Sequence, residues 1–168
     1  YELAGKTMGV IGMGNIGRKV AQVAEAFGMK ICYFSTSGTG HCKDYPCLPL
    51  EQLLAKSDVV SIHAPLNERT NGLIGAKEIS RMKPSAILVN MGRGGIVDEA
   101  ALAEAINEER IAGAALDVFV KEPLPSDNPL LHTRHPECLR LAPHAAWASV
   151  QARERLVRQI AENIEKGW

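Results

Sequence analysis

The strongest constraint on this chain is an alternation of short apolar runs with amphipathic segments, repeated from one end to the other. Residues 8–12 (MGVIG) read as a short buried strand. The helix after it places Ile16, Val20, Val23, Ala24 and Phe27 on one face, and Gly28 stops it. Further strands are predicted over residues 30–34, 59–63, 86–90, 111–117 and 139–142. Helices are predicted over 50–56, 76–82 and 99–109, the last with Asp98 as N-cap and Leu102, Ala105 and Ile106 facing inward. Residues 35–49, rich in Ser, Gly, Thr and Pro, read as loop. A closing helix from about Val150 sets Leu156, Val157, Ile160 and Ile164 against a solvated face of Arg153, Glu154 and Arg158. Strands separated by helices of this length pair in parallel through right-handed crossovers. The pattern predicts one doubly wound α/β domain of the Rossmann type over residues 1–168.

Composition narrows the partners. The 19 basic and 19 acidic residues cancel to a net charge of +0. No basic surplus exists to displace counterions from nucleic acid or to meet an acidic membrane. No apolar run approaches the roughly 18–20 residues of a membrane helix, and no charged-then-apolar leader opens the chain. Cys32, Cys42, Cys47 and Cys138 form no disulfide framework at this length. His41, Cys42 and Cys47 lack the second ligand pair of a zinc site, so no metal is expected. A reduced, cytoplasmic protein is the expectation.

The first motif is Gly12-Met13-Gly14-Asn15-Ile16-Gly17, a G-x-G-x-x-G string that leaves a predicted strand and opens a predicted helix. In that context Gly12 permits the tight turn, Gly14 lets the backbone approach a pyrophosphate, and Gly17 lets helix and strand pack closely. The helix N-terminus then offers free N–H groups and a partial positive charge to the anion. NAD or NADP is the expected cofactor. An acidic residue normally grips the adenosine ribose at the end of the second strand, but here that segment reads Phe34-Ser35-Thr36-Ser37. It holds no carboxylate to accept from a 2′-hydroxyl or repel a 2′-phosphate, and no Arg to fork one, so the 2′ group stays open.

Three more segments fall just past strand ends, where catalytic groups belong in such a fold. In Asn90-Met91-Gly92-Arg93-Gly94-Gly95 an arginine stands on bare backbone, and its planar guanidinium suits a carboxylate held in bidentate fashion. Residues 115–123 bring Asp117, and Glu122 directly before Pro123. Residues 142–147 (APHAAW) bring His144 after the last strand. His63 also sits at a strand end, so position alone does not single out one histidine. His144 stands out because Glu122 and Arg93 share its sheet edge. A carboxylate beside a histidine favours imidazolium, which suits general acid–base work.

With these motifs in order, the chain resembles the nucleotide-binding domain of the D-isomer-specific 2-hydroxyacid dehydrogenases over essentially its whole length. The resemblance implies that Arg93 binds the substrate carboxylate and carbonyl, that His144 acts as acid–base, and that Glu122 pairs with it. Asp117 would hold the nicotinamide carboxamide. Cofactor contacts would come from Gly12, Gly14, Asn15, Ile16 and Gly17, and from Ser35, Thr36 and Ser37. Others would come from His63, Ala64, Pro65 and Thr70, from Asn90, Met91 and Gly92, and from Ala146. The residues 144–147 (HAAW) are similar to the glycerate dehydrogenase/hydroxypyruvate reductase branch, so hydroxypyruvate or glyoxylate is the first substrate expectation. The resemblance also implies dimerisation through this domain and a flanking substrate-binding domain, which is expected to lie outside residues 1–168. Two rivals stand beside this reading. Formate dehydrogenase shares the Arg and His but has no hydroxyl proton to remove, so Glu122 speaks against it. A dinucleotide-sensing corepressor-like module would bind cofactor and a peptide without turnover.

Overall fold

The structure, a computed structural model, describes residues 2–40 and 42–167, so His41 of the zinc candidate lies outside the described residues. The elements run β1 (Thr7–Ile11), α1 (Asn15–Ala26), β2 (Lys30–Phe34), α2 (Leu50–Lys56), β3 (Val59–Ile62) and α3 (Ala76–Ile79). They continue with β4 (Ile87–Asn90), α4 (Glu99–Asn107), β5 (Gly113–Leu116), β6 (Leu139–Leu141) and α5 (Val150–Glu165). Two short 3-10 turns, Pro129–His132 and Pro136–Cys138, fill the connection before β6.

The six strands pair in parallel in the order β2-β1-β3-β4-β5-β6. The winding reverses at β1, which has β2 on one side and β3 on the other, and so opens a crevice past their carboxyl ends. Outboard of β2 a single parallel bridge joins Tyr33 to Cys47. There Tyr33 N donates to the Pro46 carbonyl at 3.0 Å and Leu48 N donates to the Tyr33 carbonyl at 2.8 Å. Prolines at 46 and 49 offer no N–H to extend the pairing, so the segment expected to be loop keeps one strand-like contact and no more.

Most of the core lies between the sheet and α2, α3 and α4, where Ile11, Leu54, Ile62, Leu88, Leu102 and Ile106 are fully buried. Side chains of this size contribute about 1.5–3 kcal/mol each on burial. Helix α4 starts as expected, with Asp98 Oδ1 accepting from Ala100 N at 2.9 Å and Ala101 N at 3.0 Å. It ends at Asn107, two residues before the predicted end, and Glu109 follows in the left-handed region at φ 52.

The other face of the sheet differs from expectation. Helix α1 packs on it through Gly17, Ala21 and Ala24, while Ile16 (65 % exposed), Val23 (58 %) and Phe27 (61 %) face outward. The reason lies at the helix start: a methyl at Gly17 would overlap the Gly12 carbonyl oxygen, so the helix sits too close to β1 for a large aliphatic face. Of the predicted inner stripe only Ala24 is buried, and Val20 is half-buried. Helix α5 departs further. Its apolar positions Leu156, Val157, Ile160 and Ile164 are all exposed, and it buries none of its residues. The amphipathic pattern is real, but no described element covers that face.

Candidate active site

The crevice begins at the turn after β1. Gly12 has φ 92, its N–H donates to the Phe34 carbonyl at 3.1 Å, and a Cβ there would stand 2.9 Å from both Ala64 N and the His63 carbonyl. Gly14 is different. It caps α1 with ordinary dihedrals, and nothing lies within 4 Å of where its Cβ would be. No side chain caps the helix and no acidic residue occupies its first turn. Packing therefore demands glycine at 12 and 17 but not at 14. The space over Gly14, beside exposed Asn15 and Ile16 and the uncapped N–H groups, fits a pyrophosphate.

Past β2, Ser35 Oγ donates to the Thr39 carbonyl at 2.6 Å and lies 3.0 Å from Ser37 Oγ. Over this turn reaches Arg69, whose Nη1 donates to the Ser37 carbonyl at 3.1 Å. Nothing in the sequence pointed to Arg69, because it arrives from the loop after β3, 32 residues further along. Thr70, expected to line the cleft, is fully buried instead. Its Oγ1 donates to the Pro65 carbonyl at 2.6 Å and accepts from Asn67 N at 2.9 Å, which pins the loop. His63 and Ala64 present backbone to Gly12. The His63 ring places Nε2 2.9 Å from Ser61 Oγ, while Nδ1 is buried with no partner among the described residues, and burial pushes its pKa down.

The arginine loop is built by Asn90, which is buried at the end of β4. Its Nδ2 donates to the Arg93 carbonyl at 3.0 Å, and its Oδ1 accepts from Gly92 N at 3.0 Å. A Cβ at Gly92 would stand 2.7 Å from the Ala64 carbonyl, and one at Gly94 would overlap the Phe119 carbonyl. Neighbouring loops thus leave room for glycine alone on either side of Arg93. The guanidinium folds back, Nη1 donating to the Gly92 carbonyl at 2.7 Å. Met91 is exposed beside it.

Asp117, buried just past β5, accepts from Ala145 N at 2.8 Å through Oδ1 and from Ala146 N at 2.9 Å through Oδ2. These two bonds fix the loop carrying His144, which takes φ 52, a region histidine enters more readily than most residues. His144 Nδ1 lies 2.8 Å from Glu122 Oε2, and Glu122 Oε1 accepts from Phe119 N at 2.9 Å. The His144 bond first, then the Phe119 N–H, hold the Glu122 carboxyl below the usual carboxylate range, and the Arg93 charge adds to this. Arg93, Glu122 and His144 therefore share one electrostatic site. An apolar hollow of about 480 Å³ lies beside it, lined by Phe119, Pro123, Leu124, Leu141 and Pro143 as well as Glu122. With Nδ1 engaged, Nε2 is the nitrogen left to exchange a proton, and a guanidinium has the planar set of donors that suits an anion.

A further positioning residue, Glu99 at the start of α4, also came without a sequence signal. Its carboxylate accepts from Val120 N at 2.7 Å and from Asn128 Nδ2 at 2.6 Å, tying the loop that carries Glu122 to the helix. Among the described residues no cluster of three His, Cys, Asp or Glu side chains is placed to hold a metal, and no helix is long and apolar enough to cross a membrane.

Comparison with known proteins agrees with this geometry. Residues 1–146 match the family model of the D-isomer specific 2-hydroxyacid dehydrogenase, NAD binding domain. The chain is 47% identical over 167 residues to a glyoxylate reductase of Korarchaeum cryptofilum, covering 98% of this chain and 49% of the relative. It is 42% identical over 165 residues to a glycerate dehydrogenase of Methylorubrum extorquens, covering 98% and 51%. The chain thus spans about half the length of the curated relatives it matches. Among solved structures it superposes with a TM-score of 0.89, at 38% identity and covering 98% of this chain and 52% of the other, on an acyclic imino acid reductase in complex with NADPH and D-Arg. With the motif turn, the arginine loop and the Glu–His pair on one crevice, and this match over most of its length, the chain belongs to the D-isomer specific 2-hydroxyacid dehydrogenase family, as its NAD-binding domain.

Proposed function

We propose that this domain serves an oxidoreductase interconverting a 2-oxo acid and a D-2-hydroxy acid, with glyoxylate or hydroxypyruvate as substrate. The observation that carries this reading is the Glu122–His144 pair at 2.8 Å, set within the field of Arg93. A nicotinamide dinucleotide, when bound, supplies the hydride for the carbonyl carbon or receives it in reverse. Gly12, Gly14 and the first turn of α1 would hold its pyrophosphate, and Ser35, Thr36 and Ser37 would flank its adenosine ribose. The proton comes from His144, which donates from Nε2 to the carbonyl oxygen in reduction and withdraws it in oxidation. Glu122 orients the ring and balances its charge. Arg93 swings from the Gly92 carbonyl to fork the substrate carboxylate and polarise the carbonyl. Acid–base help of this kind is worth roughly 10²–10⁴ in rate.

Formate oxidation needs no such proton transfer, so the Glu122–His144 pair weighs against a formate dehydrogenase. The other half of such an enzyme would form the opposite wall of the crevice, excluding water and fixing the substrate. A homodimer through this domain and a cytoplasmic location belong to the same reading; four free cysteines suit a reducing compartment. The test is an assay of the whole enzyme against a panel of 2-oxo acids, each with NADH and with NADPH. Turnover of glyoxylate or hydroxypyruvate is expected, and binding without turnover of any 2-oxo acid would refute the reading.

A further inference from the structure

We propose that Arg69 makes the adenosine-ribose end of this crevice a 2′-phosphate site, so that NADPH is bound in preference to NADH. The proposal rests on dinucleotide binding at the turn over residues 12–17. It deepens that reading by naming the form of the cofactor and the residue that selects it.

The position that would carry a ribose-gripping carboxylate is Ser35, directly after the last residue of β2. Nothing in the turn over residues 35–38 therefore repels a phosphate. Arg69 stands over this turn: its Nη1 bonds the Ser37 carbonyl at 3.1 Å, and a Cβ on Gly38 would lie 3.4 Å from the same atom. That bond uses one guanidinium N–H, and the others have no protein acceptor among the described residues. A shallow depression of about 390 Å³ lies between the two loops, lined by Thr36, Ser37, Asn67, Glu68 and Arg69. A phosphate seated there meets a planar fork from one loop and hydroxyls from the other.

The fork is positioned before any ligand arrives. Arg69 N donates to Asn67 Oδ1 at 2.9 Å, and the next residue, Thr70, is fully buried and bonded to the Pro65 carbonyl. A fixed backbone under the guanidinium reduces the ordering cost of binding. Ser35 now gives its proton to the Thr39 carbonyl, and a rotation about χ1 turns it toward the ligand. Among the described residues Glu68 is the one carboxylate lining the depression and opposes the anion, which makes it a second handle on the same site.

Calorimetry on this chain with NADPH and NADH, and with adenosine 2′,5′-bisphosphate and adenosine 5′-monophosphate as half-ligands, tests the proposal. NADPH should bind about ten- to a hundredfold more tightly than NADH, the range of one charge-assisted hydrogen bond. Arg69→Gln should collapse that ratio toward one by weakening NADPH and the bisphosphate far more than NADH and the monophosphate. Ser35→Asp should reverse the ratio, and Glu68→Gln should raise it. Equal affinity for the two dinucleotides in the unaltered chain, or an equal loss for both in Arg69→Gln, would overturn the assignment of Arg69. Failure to bind either dinucleotide would overturn the reading beneath it, a result distinct from loss of selectivity.

Discussion

Gly14 and Gly17 stand one turn apart at the start of α1, and substituting them should separate ligand binding from folding. At Gly14 the added side chain meets nothing within 4 Å and the backbone is compatible with alanine, so the folded protein is barely disturbed. Losing glycine at an N-cap costs some tenths of a kcal/mol, and the reduced freedom of the unfolded chain offsets about as much. The melting temperature of Gly14→Ala should move by no more than about 2 °C. The same methyl, however, stands where a pyrophosphate must approach the backbone N–H groups. Losing one charge-assisted hydrogen bond at about 1.5–3 kcal/mol predicts a dinucleotide affinity down by roughly ten- to a hundredfold, and further in Gly14→Val. Gly17→Ala should do the reverse of this at first order. Its methyl overlaps the Gly12 carbonyl, and overpacking of that kind costs about 1–3 kcal/mol, or some 3–10 °C in a chain of this size. Thermal melts and titration calorimetry on the two variants decide the matter. Undiminished dinucleotide affinity in Gly14→Val would refute the claim that a phosphate group sits over this glycine.

Other outcomes follow from the same geometry. In the whole enzyme, His144→Gln should lower kcat by about 10²–10⁴ with little change in dinucleotide affinity, while Arg93→Lys should lose most of kcat/KM because a point charge cannot reproduce the fork; steady-state kinetics read both. Asp117→Ala should lower kcat more than stability, since it frees the loop at Ala145 and Ala146 rather than opening the core; a cooperative melt with impaired turnover is the expected pair of results. The pH dependence of stability should show two steps. His63 is held below its ordinary value near 6.5 by burial, so stability should begin to decline as pH falls through that value, because the unfolded chain binds the proton first. Glu122 is depressed chiefly by its bond to His144, and Asp58 chiefly by the Thr7 N–H at 2.8 Å. Their contributions are complete above the ordinary carboxylate range near 4 and are lost as pH drops below it. Melts of Asp58→Asn should flatten that acid limb, and an unchanged limb would refute the assignment.

What is legible in the sequence is whatever local chemistry dictates. The strand–turn–helix around Gly12 carries its own signal in glycine spacing, and Asp98 announces α4 by being the residue type that caps helices. The Glu122–His144 pair is legible because both residues follow strand ends, and a parallel sheet brings all such ends to one edge. Arg69 and Glu99 are not legible, because each acts across a gap between loops that no periodicity encodes. The inner face of α1 escapes for a related reason. Hydrophobicity favours Val23 and Phe27, but the close approach demanded by Gly17 buries Ala21 and Ala24 instead. The stripe on α5 is apolar as the sequence indicates, yet nothing among the described residues covers it.

The loops carrying Arg93 and His144 are each held by a buried polar side chain at or just past the end of a strand, and the order of these ties explains how short loops keep an exposed site in place. Asn90, ending β4, closes the turn that carries Arg93. Its own carbonyl accepts from Asp117 N at 3.1 Å, and Asp117, following β5, binds the loop after β6 that carries His144. The connections therefore run from β4 to β5 to β6, while the Glu122–His144 bond links the β5 loop to the β6 loop at the surface. Asn90 and Asp117 are almost fully buried, so their bonds are shielded from competing water, whereas His144 and Glu122 keep more than a third of their side chains exposed. Precision comes from below and access is kept above. A polar substitution at the surface should thus alter proton transfer alone, while loss of Asn90 or Asp117 should displace two loops together. Asn90→Ala combined with Asp117→Ala should then cost less in kcat than the product of the single losses, because either change already releases the alignment of Arg93 with His144. Fully multiplicative losses in that double-mutant cycle would show that the two loops are held independently.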